Sequence, residues 1–126
     1  MILIDTDVLI CHLRGVEIAR RWLLDAAESD ALAISAVTVT EITGGMRSAE
    51  RREVWALLAA LEVMPITDAI ARRAGALRRE HRRSHSGIGI PDYFIAATVL
   101  HHGLELATLN TKHFPMIPEL RAPFSL

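Results

Sequence analysis

The sequence contains one cysteine, one lysine and no long apolar run, and these shortages exclude several classes of protein. Cys11 cannot form an internal disulfide, and no Cys/His cluster indicates a structural zinc site. No apolar stretch is long enough to span a bilayer, and no basic segment precedes the first apolar residues. We therefore expect a protein without a membrane segment or a secretory signal, located in the cytoplasm.

The rest of the composition is that of a folded globular protein. Hydrophobic residues make up 51% of the 126 positions, so we expect a folded chain with one domain over residues 1–126. The net charge of −1 predicts no partner by itself. Basic charge is concentrated, however, because six arginines lie between Arg72 and Arg83. The planar fork of arginine suits phosphate, although a solvated helix face explains the same cluster.

Apolar periodicity predicts short strands that alternate with helices. Strands are predicted over residues 1–4, 32–35, 63–66 and 104–108, with a fifth strand at an edge over residues 114–117. Helices are predicted over residues 8–13, 16–28, 37–46, 47–61, 68–83 and 92–102. This alternation is typical of an α/β fold in which helices cover both faces of a mainly parallel sheet. Right-handed crossovers then place the carboxyl ends of the strands along one edge.

The first predicted strand leads into an acidic pair. Residues 1–4 are all apolar, as in a fully buried strand, and ligands of α/β sheets usually bind where such strands end. Asp5 stands at that end. Asp7 is predicted to be the N-cap of the following helix, because its carboxylate can accept the free N–H groups of the first turn. A role as a cap or turn residue is also open to Asp5.

Three acids are expected to project toward the same edge of the sheet: Asp5, Glu41 and Asp92. Asp92 opens a helix after a glycine-rich loop, so it is also explained as an N-cap. Glu41 lies in an apolar, threonine-rich helix and is also explained as a surface residue. Like charges gathered in one place repel and shift each other's pKa values unless a cation holds them. Carboxylate oxygens of this kind suit Mg²⁺ or Mn²⁺.

Polar and aromatic residues nearby are candidates for supporting roles. Thr108 and Asn110 follow the fourth predicted strand and are candidates for orienting a metal-bound water or a ligating carboxylate. Lys112 is a candidate for contacting a phosphate. A polar turn explains these residues without any ligand. Tyr93 or Phe94 is a candidate for stacking on a base, with core packing as the alternative for Phe94.

Four segments of the chain carry a family resemblance. They are residues 4–9 (IDTDVL), 35–42 (SAVTVTEI), 90–98 (IPDYFIAAT) and 107–114 (ATLNTKHF). Each segment alone is a weak signal, but together they follow the family's order and spacing and cover the chain. The sequence resembles PIN-domain proteins of the VapC type, the toxins of bacterial toxin–antitoxin pairs. The resemblance implies a three-layer α/β/α PIN-like fold with a short, mainly parallel sheet of four or five strands.

The resemblance also implies an activity and its partners. By motif position, Asp5, Glu41 and Asp92 are the acids that bind Mg²⁺ or Mn²⁺ and carry catalysis. The implied reaction is cleavage of RNA by a metal-activated water, so that no side chain need act as nucleophile. The arginines of residues 72–83, with Lys112, would hold the RNA backbone. A VapB-like antitoxin that covers the acidic site and a homodimer are implied as well.

The sequence departs from the family pattern near its last motif. Many members have a further aspartate there, whereas this chain has Asn110 and His113. A second metal would then be weakly held or would arrive with the substrate. Asp7 stands where members commonly have Asn or Asp, which leaves its role toward a metal open.

Two other functions fit parts of the pattern. A haloacid-dehalogenase-type phosphatase also has Asp-x-Asp after its first strand, with Asp5 as nucleophile and Asp7 as acid or base. That fold usually needs a later lysine and a paired acidic motif, but Lys112 is the only lysine and Asp92 has no acidic neighbour. A degenerate PIN domain that binds without catalysis is motivated by the missing fourth acid. A receiver domain is disfavoured because residues 64–66 offer no acceptor aspartate.

Overall fold

A parallel sheet of four short strands lies at the centre of the protein, for which a computed structural model describes residues 1–126. The strands are β1 (Ile2–Ile4), β2 (Leu32–Ser35), β3 (Glu62–Met64) and β4 (Glu105–Ala107). Their order across the sheet is β3-β2-β1-β4, and every neighbouring pair is parallel. In the central strand, Leu3 pairs with Ala33 on one side and with Leu106 on the other.

Six helices cover the two faces of this sheet. They are α1 (Thr6–Leu13), α2 (Glu17–Ser29), α3 (Ala36–Gly45), α4 (Arg51–Ala59), α5 (Asp68–His81) and α6 (Ile90–His102). The chain moves in one direction from β1 through β2 to β3, and then crosses back to β4 on the far side of β1. Because parallel crossovers are right-handed, this reversal places α5 and α6 on the face opposite the earlier helices. The predicted three-layer α/β/α architecture is confirmed.

The hydrophobic core is divided between the two faces of the sheet. Leu3 and Ile4 are adjacent in β1 and both have 0% exposure, because successive side chains of a strand point to opposite faces. Ile4 packs in a cluster with residues of α1 to α4, whereas Leu3 packs with Ile95 and Val99 of α6. Burial on both faces explains why this strand is uniformly apolar in the sequence.

Several predicted elements differ from the structure. The prediction of a fifth strand is wrong. The residues after β4 form a 3₁₀ turn (Thr111–His113), and Phe114 inserts into the core with 1% exposure. The predicted helix over residues 47–61 is instead a 3₁₀ turn (Ser48–Glu50) followed by α4. β3 stops before Pro65, because proline has no N–H to donate to a ladder.

The helix that carries Asp92 begins two residues earlier than predicted. Gly89 is its N-cap, Pro91 lies in its first turn, and Asp92 occupies the third helical position. It ends at Gly103, whose φ of 63° is the left-handed conformation in which glycine ends helices, as predicted. None of the six helices combines the length and the hydropathy that crossing a membrane requires.

Candidate active site

The order of the strands reverses between β1 and β4, and polar residues follow both strands. Asp5 comes directly after β1 and Thr108 directly after β4, with exposures of 6% and 0%. The Asp5 N–H donates to the carbonyl of Ala107 at 2.9 Å, which extends the pairing of these strands into the site. Open α/β sheets bind their ligands outside the carboxyl ends of the strands at such a reversal. Topology therefore identifies this edge as the candidate site.

Asp5 is held by two hydrogen bonds. Its Oδ1 accepts the N–H of Thr6 at 2.8 Å, and its Oδ2 accepts the hydroxyl of Thr108 at 2.7 Å. The first of these bonds makes Asp5 the N-cap of α1, so the prediction that Asp7 caps this helix is wrong. The helix begins at Thr6 rather than at Val8, and this leaves Asp7 inside the first turn.

Asp7 faces the segment that follows β4. Its Oδ2 accepts the N–H of Leu109 at 3.1 Å and lies 3.4 Å from the hydroxyl of Thr108. Its Oδ1 is buried and has no hydrogen-bond partner in the protein. A buried carboxylate oxygen without a donor is costly, so this atom is a ligand position that the protein itself leaves open.

Burial perturbs both of these carboxyl groups, and repulsion from neighbouring acids adds to its effect at Asp5. The pKa of Asp5 is raised to about 7, mainly by burial and then by the charge of Asp7, with a smaller contribution from Asp92. Hydrogen bonds from Thr108 and Thr6 oppose that rise. The pKa of Asp7 is raised as well, and burial is again the largest cause. Without a cation the site therefore disfavours the negative charge that its residues carry.

Asp92 approaches the site from the start of α6. Its Oδ2 accepts the N–H of Gly89 at 3.1 Å and lies 3.0 Å from Nδ1 of His113. The same ring nitrogen lies 3.0 Å from the side-chain amide of Asn110. His113 therefore contacts both Asp92 and Asn110, and its ring is partly buried beside the Asp92 carboxylate.

Glu41 reaches the site through a threonine. The carboxylate of this exposed residue of α3 accepts the hydroxyl of Thr6 at 2.8 Å, and that hydroxyl lies 3.0 Å from the hydroxyl of Thr38. Because Thr6 also donates its N–H to Asp5, one residue connects the two acids. Sequence reasoning missed Thr6 and Thr38, although Thr38 and Glu41 are three residues apart and therefore share a helix face.

One short segment, residues 108–113, contacts all three aspartates. Thr108 donates to Asp5, the N–H of Leu109 donates to Asp7, and His113 contacts Asp92. The Asn110 N–H donates to the Thr108 hydroxyl at 3.0 Å, which fixes the segment internally. Lys112 is exposed and forms no contact with these carboxylates. The segment is therefore the part of the chain that holds the acidic site together.

The donor set fits a hard divalent cation. It consists of carboxylate oxygens, two of the carboxyl groups have raised pKa values, and one oxygen of Asp7 is buried without a partner. Mg²⁺ and Mn²⁺ prefer oxygen ligands of this kind, and a cation would remove the repulsion. The side chains do not form a closed group of three or more His, Cys, Asp or Glu ligands. The chemistry of the residues, rather than a completed coordination shell, indicates a metal.

The arginine-rich helix α5 is the element that precedes α6, the helix that carries Asp92. The six arginines of residues 72–83 are all exposed, and Arg72 alone of them is paired, with Asp68 at 2.9 Å. Residues 82–89 join the end of α5 to the start of α6, and Arg82 and Arg83 are the first two residues of this connection.

The two aromatic candidates are part of the core. Tyr93 has 1% exposure and packs with Ile70 and Ala74 of α5, so the idea that it stacks on a base is wrong. Phe94 packs partly buried against the same cluster, which confirms the core-packing alternative for this residue.

A cavity of about 260 Å³ opens beside Glu41 between α1, α3 and α4. Half of its lining residues are hydrophobic, among them Ile10 and Val54, and Arg14 and Arg47 lie at the same cavity. It is continuous with the site only through Glu41, since neither Asp5 nor Asp92 lines it. The cavity is thus a mixed apolar and charged surface adjoining the acids.

Fold and site together define a three-layer α/β protein with carboxylates gathered at the reversal of its parallel sheet. The family model described as the PIN domain matches residues 2–119 of this chain. The chain belongs to the PIN-domain family.

Curated relatives and solved structures agree with this assignment. Ribonuclease VapC10 of Mycobacterium tuberculosis is 58% identical over 126 residues, covering 100% of this chain and 95% of that protein. Ribonuclease VapC19 of the same organism is 38% identical over 125 residues, covering 98% of this chain and 100% of that protein. A toxin–antitoxin complex from Klebsiella pneumoniae contains a chain that superposes with a TM-score of 0.83 at 32% identity and full coverage of both chains.

Proposed function

We propose that this protein, a single domain over residues 1–126, is a metal-dependent endoribonuclease and the toxin of a type II toxin–antitoxin pair. The observation that carries the proposal is the gathering of Asp5, Asp7 and Asp92 around residues 108–113, with the pKa of Asp5 raised to about 7. The names of its relatives support ribonuclease activity. Membership of the PIN family removes the grounds for the phosphatase alternative.

Asp5, Glu41 and Asp92 are the residues proposed to hold Mg²⁺ or Mn²⁺. When bound, the cation supplies positive charge that acidifies a water and offsets charge on the phosphate. The protein's own contribution is to keep its carboxylates in place before the substrate arrives. Thr108 and the Thr6 N–H fix the two oxygens of Asp5, and the Thr6 hydroxyl fixes Glu41. The free-energy cost of ordering these side chains is met when the protein folds, so it does not add to the activation barrier of the reaction.

The RNA backbone is proposed to cross the end of α5. Arg82 and Arg83 are exposed and follow α5 directly, in the connection that leads to the helix of Asp92. Their guanidinium groups can contact phosphates in a bidentate manner. Lys112 adds a positive charge on the segment that holds the carboxylates. The substrate is therefore proposed to be held by its backbone, which carries no sequence information by itself.

A VapB-like antitoxin is the proposed protein partner. Support comes from the structural similarity to a toxin–antitoxin complex. The cavity beside Glu41 offers such a partner apolar contacts next to the acids. A homodimer and a cytoplasmic location are proposed from the family resemblance alone.

The test is cleavage of total bacterial RNA by the purified protein, with Mg²⁺ or Mn²⁺ and with a chelator. Asp92→Asn removes the charge but keeps an oxygen that can accept the N–H of Gly89. Asp25→Asn, on the exposed face of α2, is the matched control. We expect discrete fragments from the wild type and from the control, lost in Asp92→Asn and with the chelator. Equal cleavage by wild type and Asp92→Asn would contradict the assignment, and metal-independent RNA binding without cleavage would favour a non-catalytic module.

A further inference from the structure

His113 contacts Asp92 but is not itself one of the acids of the site, so its role needs a separate explanation. Oδ2 of Asp92 has two neighbours that can donate, the N–H of Gly89 at 3.1 Å and Nδ1 of His113 at 3.0 Å. Oδ1 accepts no hydrogen bond within the protein. The carboxylate is thus divided, with one oxygen anchored by the protein and the other left for a ligand.

The neighbouring carboxylate of Asp92 determines which ring nitrogen of His113 carries a hydrogen. A carboxylate only accepts, so a contact of 3.0 Å between Asp92 Oδ2 and Nδ1 is favourable only if Nδ1 carries a hydrogen. Both the neutral Nδ1–H tautomer and the imidazolium meet that condition, so the contact does not depend on the charge of the ring. Asn110 then turns the oxygen of its amide toward the ring, a rotation that exchanges atoms of nearly equal size.

We propose that His113 is a positioning residue that donates from Nδ1 to Oδ2 of Asp92 and so directs Oδ1 toward a divalent cation. Its functional consequence rests on the metal-dependent activity proposed above. The ring is in turn held by Asn110, so residues 110 and 113 support Asp92 at the place where many family members have a further carboxylate. Supports of this kind, one bond away from a metal ligand, typically change metal affinity or activity by 10- to 100-fold when removed.

Three substitutions of His113 distinguish the contribution of Nδ1 from that of Nε2. In His113→Asn, the side-chain amide nitrogen lies close to the position of Nδ1 and can still donate to Asp92. In His113→Gln, the amide nitrogen lies closer to the position of Nε2, which is on the side of Gly87. His113→Ala removes both. His102→Ala, at the exposed far end of α6, is the matched control for loss of a histidine.

The measurement is Mn²⁺ affinity by isothermal titration calorimetry without RNA, with thermal unfolding to confirm that each variant folds. We expect His113→Ala and His113→Gln to weaken Mn²⁺ binding by about 10-fold or more, whereas His113→Asn and His102→Ala stay close to the wild type. RNA cleavage should follow the same order. Wild-type affinity in His113→Ala, or equal effects of the Asn and Gln variants, would overturn the proposal.

A second measurement on the wild type needs no variant. A long-range ¹H–¹⁵N correlation spectrum of the imidazole rings shows which nitrogen of His113 carries hydrogen. We expect a protonated Nδ1, and an unprotonated Nδ1 would overturn the proposal. If the wild type neither binds Mn²⁺ nor cleaves RNA, the proposed function fails, and this spectrum still decides whether His113 donates to Asp92.

Discussion

Replacing Asp5 with asparagine is expected to stabilise the metal-free protein at pH 8 while removing its activity. The substitution keeps the shape of the side chain. Its Oδ1 still accepts the N–H of Thr6, and its Nδ2 can donate to the Thr108 hydroxyl, which in turn faces Asp7 Oδ2 at 3.4 Å. The change therefore removes a buried charge without removing the hydrogen bonds around it.

The size of the effect follows from the pKa of Asp5. A folded-state pKa of about 7, against an ordinary value of 3.8, means that the folded protein keeps a proton that the unfolded chain loses. The free energy of unfolding therefore falls as the pH rises from about 4 to 7, and the full loss is present above pH 7. A shift of this size corresponds to about 4 kcal/mol at 1.36 kcal/mol per pKa unit. Since unfolding entropy is about 2.1 cal/mol/K per residue, that is about 15 °C in Tm.

The assay is thermal and denaturant unfolding of wild type and Asp5→Asn in a chelator, at pH 4, 6 and 8. We expect the variant to be more stable at pH 8 and the difference to shrink toward pH 4. Addition of Mg²⁺ should stabilise the wild type at pH 8 more than it stabilises the variant. If the free energy of unfolding changes with pH in the same way for both proteins, the claim that burial and acidic neighbours disfavour the charged form of Asp5 is refuted. Asp25→Asn again serves as an exposed control.

Three further predictions concern other parts of the molecule. Thr108→Val removes the hydroxyl that donates to Asp5 and should lower cleavage by about 10-fold or more at constant RNA affinity, as measured by single-turnover kinetics. Changing Arg82 and Arg83 together to alanine should make the salt dependence of RNA binding shallower by about 1.4 in log–log slope, measured by fluorescence anisotropy. The same change at Arg72 and Arg73, roughly 15 Å away along α5, should have a smaller effect. Gly103→Ala should cost about 1–2 kcal/mol in denaturant unfolding, because φ is 63° there.

Much of the architecture follows from local patterns in the sequence. Uniformly apolar strands that alternate with helices predict a parallel sheet covered on both faces, and Leu3 and Ile4 are buried on opposite faces as that prediction requires. The position of Asp5 at the end of β1 follows from the same pattern. Element ends were predicted less well, because Asp5 and Asp7 both satisfy the local rule for a helix cap.

The connections within the site were not predictable in the same way. Thr6 contacts Glu41 across 35 positions of sequence, and Thr108 contacts Asp5 across 103. No local pattern encodes such pairs, since they depend on how the strands are ordered in the sheet. The contact of His113 with Asp92 is of the same kind and spans 21 positions. The roles of Glu41, Asn110 and Lys112 toward a metal or phosphate stay predictions.

The claim at the centre of this account is that Asp5 and Asp92 bind one divalent cation at the reversal of the sheet. A crystal structure of the protein grown with Mn²⁺ and measured at a wavelength where manganese scatters anomalously tests it directly. We predict an anomalous peak within about 2.2 Å of carboxylate oxygens of both residues. A map without a peak at this edge of the sheet, or with its strongest peak at other residues such as the exposed His101 and His102, would contradict the account.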